Sequence, residues 1–337
     1  MDKMTVSVVV PIYNGSKYLE EAIDSIMSQP RMVDNIILVD DGSTDESVVI
    51  CDNLAIKFPN IQVIHQPNAG VSVARNKGIL LSDDTYIVFC DADDMWEKNF
   101  FDDDVIDILS ENYDIVGFQH YNANEIMGDR SLVINQDKNQ FIEGGGNQAI
   151  WKHQKRHLGC LFFRREFLKL KEIEFPVGLT YNEDEIFKVT AEYLSESMSF
   201  YSKPMYIYRV HKNSTVHNLD KSIIDRYETW MQAWKNMDKW LLKKHGKKTD
   251  FGKKFAEAYF IEMCEVYLQE FKPIKPLNKI MKEHMKDPMF GVLKDEDYPD
   301  YMKKDVLLFK NRRCLFVLKH RVLGICRCIK HLFFRNP

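Results

Sequence analysis

The sequence predicts an α/β fold: a mixed, mainly parallel sheet flanked by helices, followed by a helical C-terminal region. Three observations predict it. Short apolar β-branched runs alternate with amphipathic stretches between residues 6 and 90, acidic residues follow the second and fourth of those runs, and the composition shifts near Asn218 toward Lys, Met, Trp and Tyr.

The elements follow in order. Val6 to Pro11 reads as a strand buried on both faces, because it is apolar and β-branched without alternation. Leu19, Ala22, Ile23 and Ile26 recur at helical spacing, with Glu20, Glu21 and Asp24 on the other face. Ile36 to Val39 is a second strand. Ser43 and Glu46 read as a capping box opening a helix through Val48, Val49 and Leu54. A strand at Ile61 to Ile64, a helix at Val71 to Leu81 and a strand at Tyr86 to Cys90 complete the alternation, which implies parallel pairing with helices on both faces. From about Asp102 the pattern is mixed, with a helix to Ser110, a strand at Ile115 to Gln119, a loop at Gly144 to Gly146 and a strand about Tyr206 to Tyr208. Residues 1–217 are expected to form one domain. Residues 218–337 form a helical region with periodic Ile223, Tyr227, Trp230, Met231 and Trp234, interrupted at Pro273, Pro276, Pro288 and Pro299.

Bulk composition excludes a disordered or fibrous chain, since 45% of its 337 residues are hydrophobic and 28% charged. The formal charge of -4 leads to no expectation of a nucleic-acid partner, but it conceals a basic tail. From residue 303 onward ten Lys and Arg residues face a single acid, Asp305. They interleave with Leu, Phe, Val and Ile, so the tail is expected to be a basic amphipathic helix that either rests on an anionic membrane surface or docks on its own protein. Seven cysteines without a metal-finger spacing fit a reducing compartment, and no apolar run is long enough to span a bilayer. The expected location is cytoplasmic, peripheral on the inner face of the cell membrane.

In open α/β sheets ligands bind beyond the carboxyl ends of the strands, so residues just after each strand are the candidates for chemistry. Asp91, Asp93 and Asp94 end the fourth strand. Carboxylates this dense repel unless a cation or solvent compensates them, and hard oxygen donors suit Mg²⁺ or Mn²⁺; the plain alternative is a turn in which Asp93 or Asp94 caps a helix. Asp40 and Asp41 end the second strand before a Gly-Ser turn, where a carboxylate can accept from a base or a ribose, or simply shape the turn. Arg75, one turn into a helix after Gly70, can face a diphosphate or hold an acidic loop. Glu183, Asp184 and Glu185 open an amphipathic helix, as dipole complements or as a general base. Arg209, His211, Ser214 and His217 form a polar cluster after the last strand.

In this order the segments Val-Ser-Val-Val-Val-Pro-Ile-Tyr-Asn-Gly, Val-Asp-Asp-Gly-Ser-Thr-Asp, Asn-Ala-Gly-Val-Ser-Val-Ala-Arg-Asn-Lys-Gly, Phe-Cys-Asp-Ala-Asp-Asp, Glu183-Asp184 and Tyr-Arg-x-His resemble glycosyltransferase family 2 over about residues 4 to 217. The resemblance implies a Rossmann-like GT-A fold and inverting transfer from a nucleotide-sugar, with uridine as the base, to a saccharide or lipid-linked saccharide acceptor, as in bacterial surface polysaccharide synthesis. It implies that Pro11, Tyr13 and Asp41 line the nucleotide site with Asp40 in support, and that Arg75 lies near the donor phosphates. Asp91, Asp93 and Asp94 match the DXD motif, with Asp93 central and Asp93 and Asp94 toward Mn²⁺ or Mg²⁺. Asp184, beside Glu183, matches the catalytic base, and Arg209 and His211 fall where a late loop closes over the diphosphate. Glu185 departs from the pattern by making the acidic pair a triplet, which leaves a base one residue away open.

Other readings fare worse. A sugar-nucleotide-forming nucleotidyltransferase would carry a Gly-rich basic loop after the first strand, where this chain has Pro-Ile-Tyr-Asn-Gly, and a nicotinamide enzyme would carry GxGxxG there. The non-enzyme alternative is a sugar-nucleotide-binding scaffold, against which the retained acids at Asp93 and Asp184 argue.

Overall fold

The structure, a computed structural model, describes residues 4–31, 33–133, 140–143, 156–179 and 183–211, together with single residues and short stretches between 234 and 323. Its contacts cluster into two units, Met1–Asn218 and Leu219–Pro337.

In the first unit β1 (Val6–Ile12), α1 (Leu19–Met27), β2 (Asn35–Asp40), α2 (Ser47–Lys57), β3 (Ile61–His65), α3 (Val71–Leu81) and β4 (Tyr86–Phe89) alternate as the sequence predicts. There follow β5 (Met95–Trp96), α4 (Asp103–Ser110), β6 (Ile115–Asn124), β7 (Arg130–Val133), β8 (Gln140–Glu143), a 3₁₀ turn (Leu158–Cys160), β9 (Leu161–Arg164), α5 (Arg165–Leu170), α6 (Glu183–Leu194) and β10 (Ser197–Val210). They make one sheet in the order β3-β2-β1-β4-β9-β6-β10-β5, with β7 on β6 and β8 on β10. The β3-β2-β1-β4 half is parallel throughout. In the other half β9 runs antiparallel to both β4 and β6, while β10 is parallel to β6 and antiparallel to β5.

β1 carries apolar residues on both faces because both are covered. Val6, Val8, Val10 and Ile12 join a core with Leu19, Ile23 and Ile26 of α1, and Val9 lies under α3. Aromatic rings fill the mixed half: Trp96, Phe100, Phe118 and Phe162 cluster around β6 and β9, and Phe175 stacks on Phe187 with centroids 3.9 Å apart. β4 and β5 lie on opposite sides of β9, β6 and β10, yet only residues 90–94 join them. The acidic segment must therefore cross over the carboxyl ends of the sheet.

Three local expectations are corrected. Ser43 and Glu46 form no capping box: α2 begins at Ser47, the Glu46 side chain makes no cap bond, Asp45 Oδ1 accepts from Ser47 N at 3.0 Å, and the Ser43 hydroxyl instead accepts from the Asn14 amide. Neither Asp93 nor Asp94 caps a helix, since β5 follows them; the cap belongs to Asp102, whose carboxylate accepts from Val105 N at 3.2 Å. The strand from Ile115 continues past Gln119 to Asn124, because pairing with β7 and β10 extends it. In the second unit Trp234, Met237 and Leu241, and then Phe260, Cys264 and Leu268, are buried at helical spacing. The expectations for Gly144 to Gly146, Asn182, Ser214, His217, Ile223, Tyr227, Trp230, Met231 and the four prolines lie outside the described residues.

Candidate active site

The loops after β1 and β2 interlock. Asn14, Gly15 and Ser16 donate their amides to Ser43 Oγ, Ser47 Oγ and Asp45 Oδ2 at 2.9–3.1 Å, and Thr44 N returns a bond to Asn14 Oδ1. Burial would raise the Asp45 carboxyl, but the bonds from Ser47 and Ser16 prevail and bring it to about 2. Asp40 is buried and accepts from Ser43 N and from His65, whose ring also meets Asp52. Asp41 accepts from Gln66 Nε2, Ala69 N and Gly70 N, so it shapes the loop before α3 and keeps one of its roughly four acceptor positions free. Gly42 lies between these loops with φ +73°, and a Cβ there would stand 2.7 Å from Asn68 N. Pro11 ends this rim, and the Tyr13 ring, 57% exposed, stands open beside it.

The acidic turn is held from β10. The Tyr206 hydroxyl accepts from Asp91 N at 3.0 Å and donates to Asp94 Oδ2 at 2.7 Å, while Arg209 N donates to Asp94 Oδ1 at 2.7 Å. The buried Arg209 side chain then takes Asp93 O, Glu125 O and Glu21 Oε2 at 2.6–2.7 Å and lies over the Tyr18 ring. His211 Nε2 meets Asp93 Oδ2 at 2.8 Å. Tyr206 reaches the turn only because residue 159 is glycine; a Cβ there would stand 2.2 Å from the Tyr206 ring. Asp94 is wholly enclosed and both its oxygens accept bonds, whereas the Asp91 and Asp93 carboxylates are each about a third open to solvent.

Burial and mutual repulsion push the Asp93 and Asp94 carboxyls up, Asp94 the further. Burial acts on Asp91 as well, but Arg75 and His157 outweigh it and hold Asp91 below its ordinary value. Asp91, Asp94 and His157 bring ligand-type atoms within 4.8 Å of one another. Each already has a protein partner: His157 Nδ1 accepts from Gly159 N, and burial lowers this imidazole to about 4, so it is neutral. Of the three only Asp94 is fully buried; Asp91 and His157 are partly open.

Arg75 joins the turn to α6. Buried to 5% exposure beside the Phe175 ring, it donates Nη2 to Asp91 Oδ1 and Nη1 to Glu183 Oε1, both at 2.9 Å. Burial opposes its charge, and Asp91, Glu183 and Asp184 more than restore it. At the start of α6, Glu183 is taken by Arg75 and Glu185 by Lys188 at 3.1 Å. The Asp184 carboxylate accepts no hydrogen bond among the described residues, so of the three acids it is the one whose oxygens remain open to a substrate proton.

The fold thus collects Asp91, Asp93, Asp94, Arg75, Glu183, Arg209 and His211 into one bonded group with Asp184 beside it, and Asp40 and Asp41 into a neighbouring group, where Gly15 of the interlocked loops packs against Ala92 of the turn. Sequence reasoning did not find Tyr206, His157, Gly159, Glu125 or Glu21. Tyr206 lies in the predicted last strand, three residues before Arg209, but nothing local signals that its hydroxyl meets residues 112 and 115 positions earlier.

Comparison with known proteins bears on this arrangement. Residues 7–170 match the family model described as Glycosyl transferase family 2. The chain is 31% identical over 231 residues to the uncharacterized glycosyltransferase EpsJ of Bacillus subtilis, covering 66% of each chain. It is 31% identical over 213 residues to the glycosyltransferase GlyG of Streptococcus pneumoniae, covering 60% of this chain and 70% of GlyG. Its match to the minor teichoic acid biosynthesis protein GgaB of B. subtilis, 34% identical over 184 residues, spans 53% of this chain and 20% of GgaB. Among solved structures, S. aureus TarS 1-349 in complex with UDP-GlcNAc superposes with a TM-score of 0.68 at 18% identity, covering 95% of this chain and 90% of that one. A parallel half-sheet feeding an acidic crossover, matched by sequence to these relatives and by fold to TarS, places the chain in glycosyltransferase family 2, with the GT-A fold.

Proposed function

We propose that the protein transfers a sugar, with inversion, from a UDP-sugar to a hydroxyl of a saccharide or lipid-linked saccharide acceptor at the inner face of the membrane, in the synthesis of a bacterial surface polysaccharide. The observation that carries this reading is the Arg75 bridge. It fixes Asp91 of the acidic turn and Glu183 of α6 to one guanidinium and so brings the open Asp184 carboxylate beside the turn. The UDP-GlcNAc held by TarS and the teichoic acid role in the name of GgaB support the donor and acceptor classes.

Tyr13 offers its exposed ring as a stacking face for the base, beside Pro11. Asp41 accepts from the base with its remaining lone pair, and Asp40 keeps the turn in place through Ser43 and His65. The partly open carboxylates of Asp93 and Asp91, with the Asp93 carboxyl pushed up by burial and by Asp91 despite its bond to His211, fit a hard divalent cation. Bound Mn²⁺ or Mg²⁺ would neutralise charge on the leaving diphosphate. Asp94 has no such opening and holds the turn. Asp184 takes the proton from the attacking hydroxyl, a task generally worth about 10²–10⁴ in rate, while the ion pair with Arg75 holds Glu183 out of the way. A single displacement needs one base, which matches one open acid in the triplet.

The test is nucleoside diphosphate release from a panel of nucleotide sugars, with and without Mn²⁺, by the wild type, Asp93→Ala and Asp184→Asn. Metal-dependent turnover of one UDP-sugar, lost in both variants while Asp184→Asn still binds donor, is the expected result. Donor binding without turnover in the wild type under any metal and acceptor would overturn the reading in favour of a scaffold.

A further inference from the structure

His157 stands in the site without a part in the transfer chemistry. It precedes the 3₁₀ turn, its ring is partly open, and a ring nitrogen lies within 4.8 Å of carboxylate oxygens of both Asp91 and Asp94. The ring is held on two sides. Gly159 N donates to Nδ1 at 3.2 Å, and the Tyr206 ring stacks on the imidazole with centroids 4.7 Å apart and planes 24° from parallel. The rings of Tyr208 and His120 stand beside it at 5.2 and 5.9 Å. An Nδ1 that accepts leaves the ring proton on Nε2, so the other edge of the imidazole carries an N–H donor. That donor has no hydrogen-bond partner among the described residues. The charges of Asp91 on the acidic turn and of Asp184 on α6 both act on this ring, together with Lys188 and Arg75, so His157 lies in the interval between the turn and the open acid.

We infer that His157 Nε2–H donates to a hydroxyl oxygen of the transferred sugar and so helps to select which UDP-sugar the protein accepts. This rests on the transferase reading, in which Asp91 and Asp93 lie on the diphosphate side and Asp184 meets the acceptor hydroxyl; the sugar in transit occupies the space between them. Two other roles fit the geometry less well. A metal ligand presents a nitrogen lone pair while its other nitrogen donates, whereas here the Nδ1 pair is taken by Gly159 and Nε2 bears the proton. A prop for Tyr206 needs only the face of the ring and leaves the N–H unexplained. A donor fixed in place discriminates among sugars because a ring that lacks the matching hydroxyl, or carries it on the other side, leaves the N–H enclosed and unpaired.

The experiment is titration calorimetry of the full chain with UDP, UDP-glucose, UDP-galactose and UDP-GlcNAc. Wild type is compared with His157→Phe, which keeps a ring against Tyr206 and loses the N–H, and with His157→Gln, which loses the ring and returns an amide N–H near the place of Nε2. UDP is expected to bind all three proteins alike. The sugar nucleotide that wild type prefers should bind His157→Phe about five- to tenfold more weakly and His157→Gln within about twofold of wild type, and the preference among the three sugars should shrink in His157→Phe. Full affinity in His157→Phe, or equal losses for UDP and the UDP-sugar, would overturn the inference and leave His157 as a support for Tyr206. So would a loss in His157→Gln as large as that in His157→Phe, or a wild type that binds UDP and gains nothing from any of the three sugars. The readout is donor binding, so the expected pattern in a protein that never transfers the sugar would sustain this inference and overturn the transferase reading alone.

Discussion

The two halves of the sheet hold their acidic residues in different ways. In the parallel half, Asp40, Asp41 and Asp45 are fixed by amides and side chains of adjacent crossover loops, at separations of 2 to 29 residues. In the mixed half, Asp91, Asp93 and Asp94 are fixed by Tyr206, Arg209 and His211, more than 110 residues away. Arg75, on a helix of the parallel half, bonds into the other side through Asp91 and Glu183, as Glu21 of α1 does through Arg209. A binding rim built from neighbours tolerates loss of one bond, because several equivalent ones remain. A turn suspended from a distant strand has fewer substitutes.

This contrast orders the expected effects. The largest falls on the open acid: Asp184→Asn should lower turnover by about 10²–10⁴ with the melting temperature unchanged, while Glu185→Gln, whose parent is paired with Lys188, keeps most activity. Single-turnover assays check both, and similar losses in the two would move the base. Next comes Arg75→Met, which leaves the buried Glu183 and the partly open Asp91 without their cation and should cost about 3 kcal/mol in urea denaturation, with turnover lost as well. Full stability in that variant would dissolve the coupling between the halves. Tyr206→Phe removes one hydroxyl that serves two partners and should cost about 1–3 kcal/mol, raising the metal concentration needed for half-maximal activity more than the KM for donor. An equal rise in both would show general unfolding of the site rather than distortion of the acidic turn.

The smallest effect belongs to the parallel half. The Asp45 carboxyl lies at about 2 in the fold, below its ordinary value of 3.8, so its bonds to Ser16 and Ser47 stabilise the protein fully above about pH 4. That contribution should fade as the pH drops from there toward 2. Asp45→Asn should flatten this part of the stability profile measured by denaturant titration, and an unchanged acid limb would remove Asp45 from the loop interlock.

Legibility in the sequence follows the same division. Apolar runs, their alternation with helices and acids just past the strands are local signals, and they placed β1 to β4 and most of the polar groups that the structure collects. The capping box at Ser43 and Glu46 misled because its serine is recruited by Asn14 from the neighbouring crossover, a competition between two loops that neither loop's own pattern reveals. In the mixed half the insertion of β9 between β4 and β6 depends on pairing over long separations, and β9 itself is only four residues. The acidic triplet shows the limit most clearly. Three carboxylates in a row are equivalent on paper, and only the positions of Arg75 and Lys188 in space separate the open one from the paired two.

The suspension of the acidic turn from β10 also has a consequence in time. A ribosome delivers Asp91 to Asp94 long before it delivers Tyr206, Arg209 and His211, so a growing chain carries its cluster of carboxylates through more than 110 residues of synthesis without the strand that arranges them. The loops after β1 and β2 can close on one another early, since the partners of their hydrogen bonds precede residue 71. The site therefore matures in two stages, and a chain halted before its last strand has a rim without a finished centre.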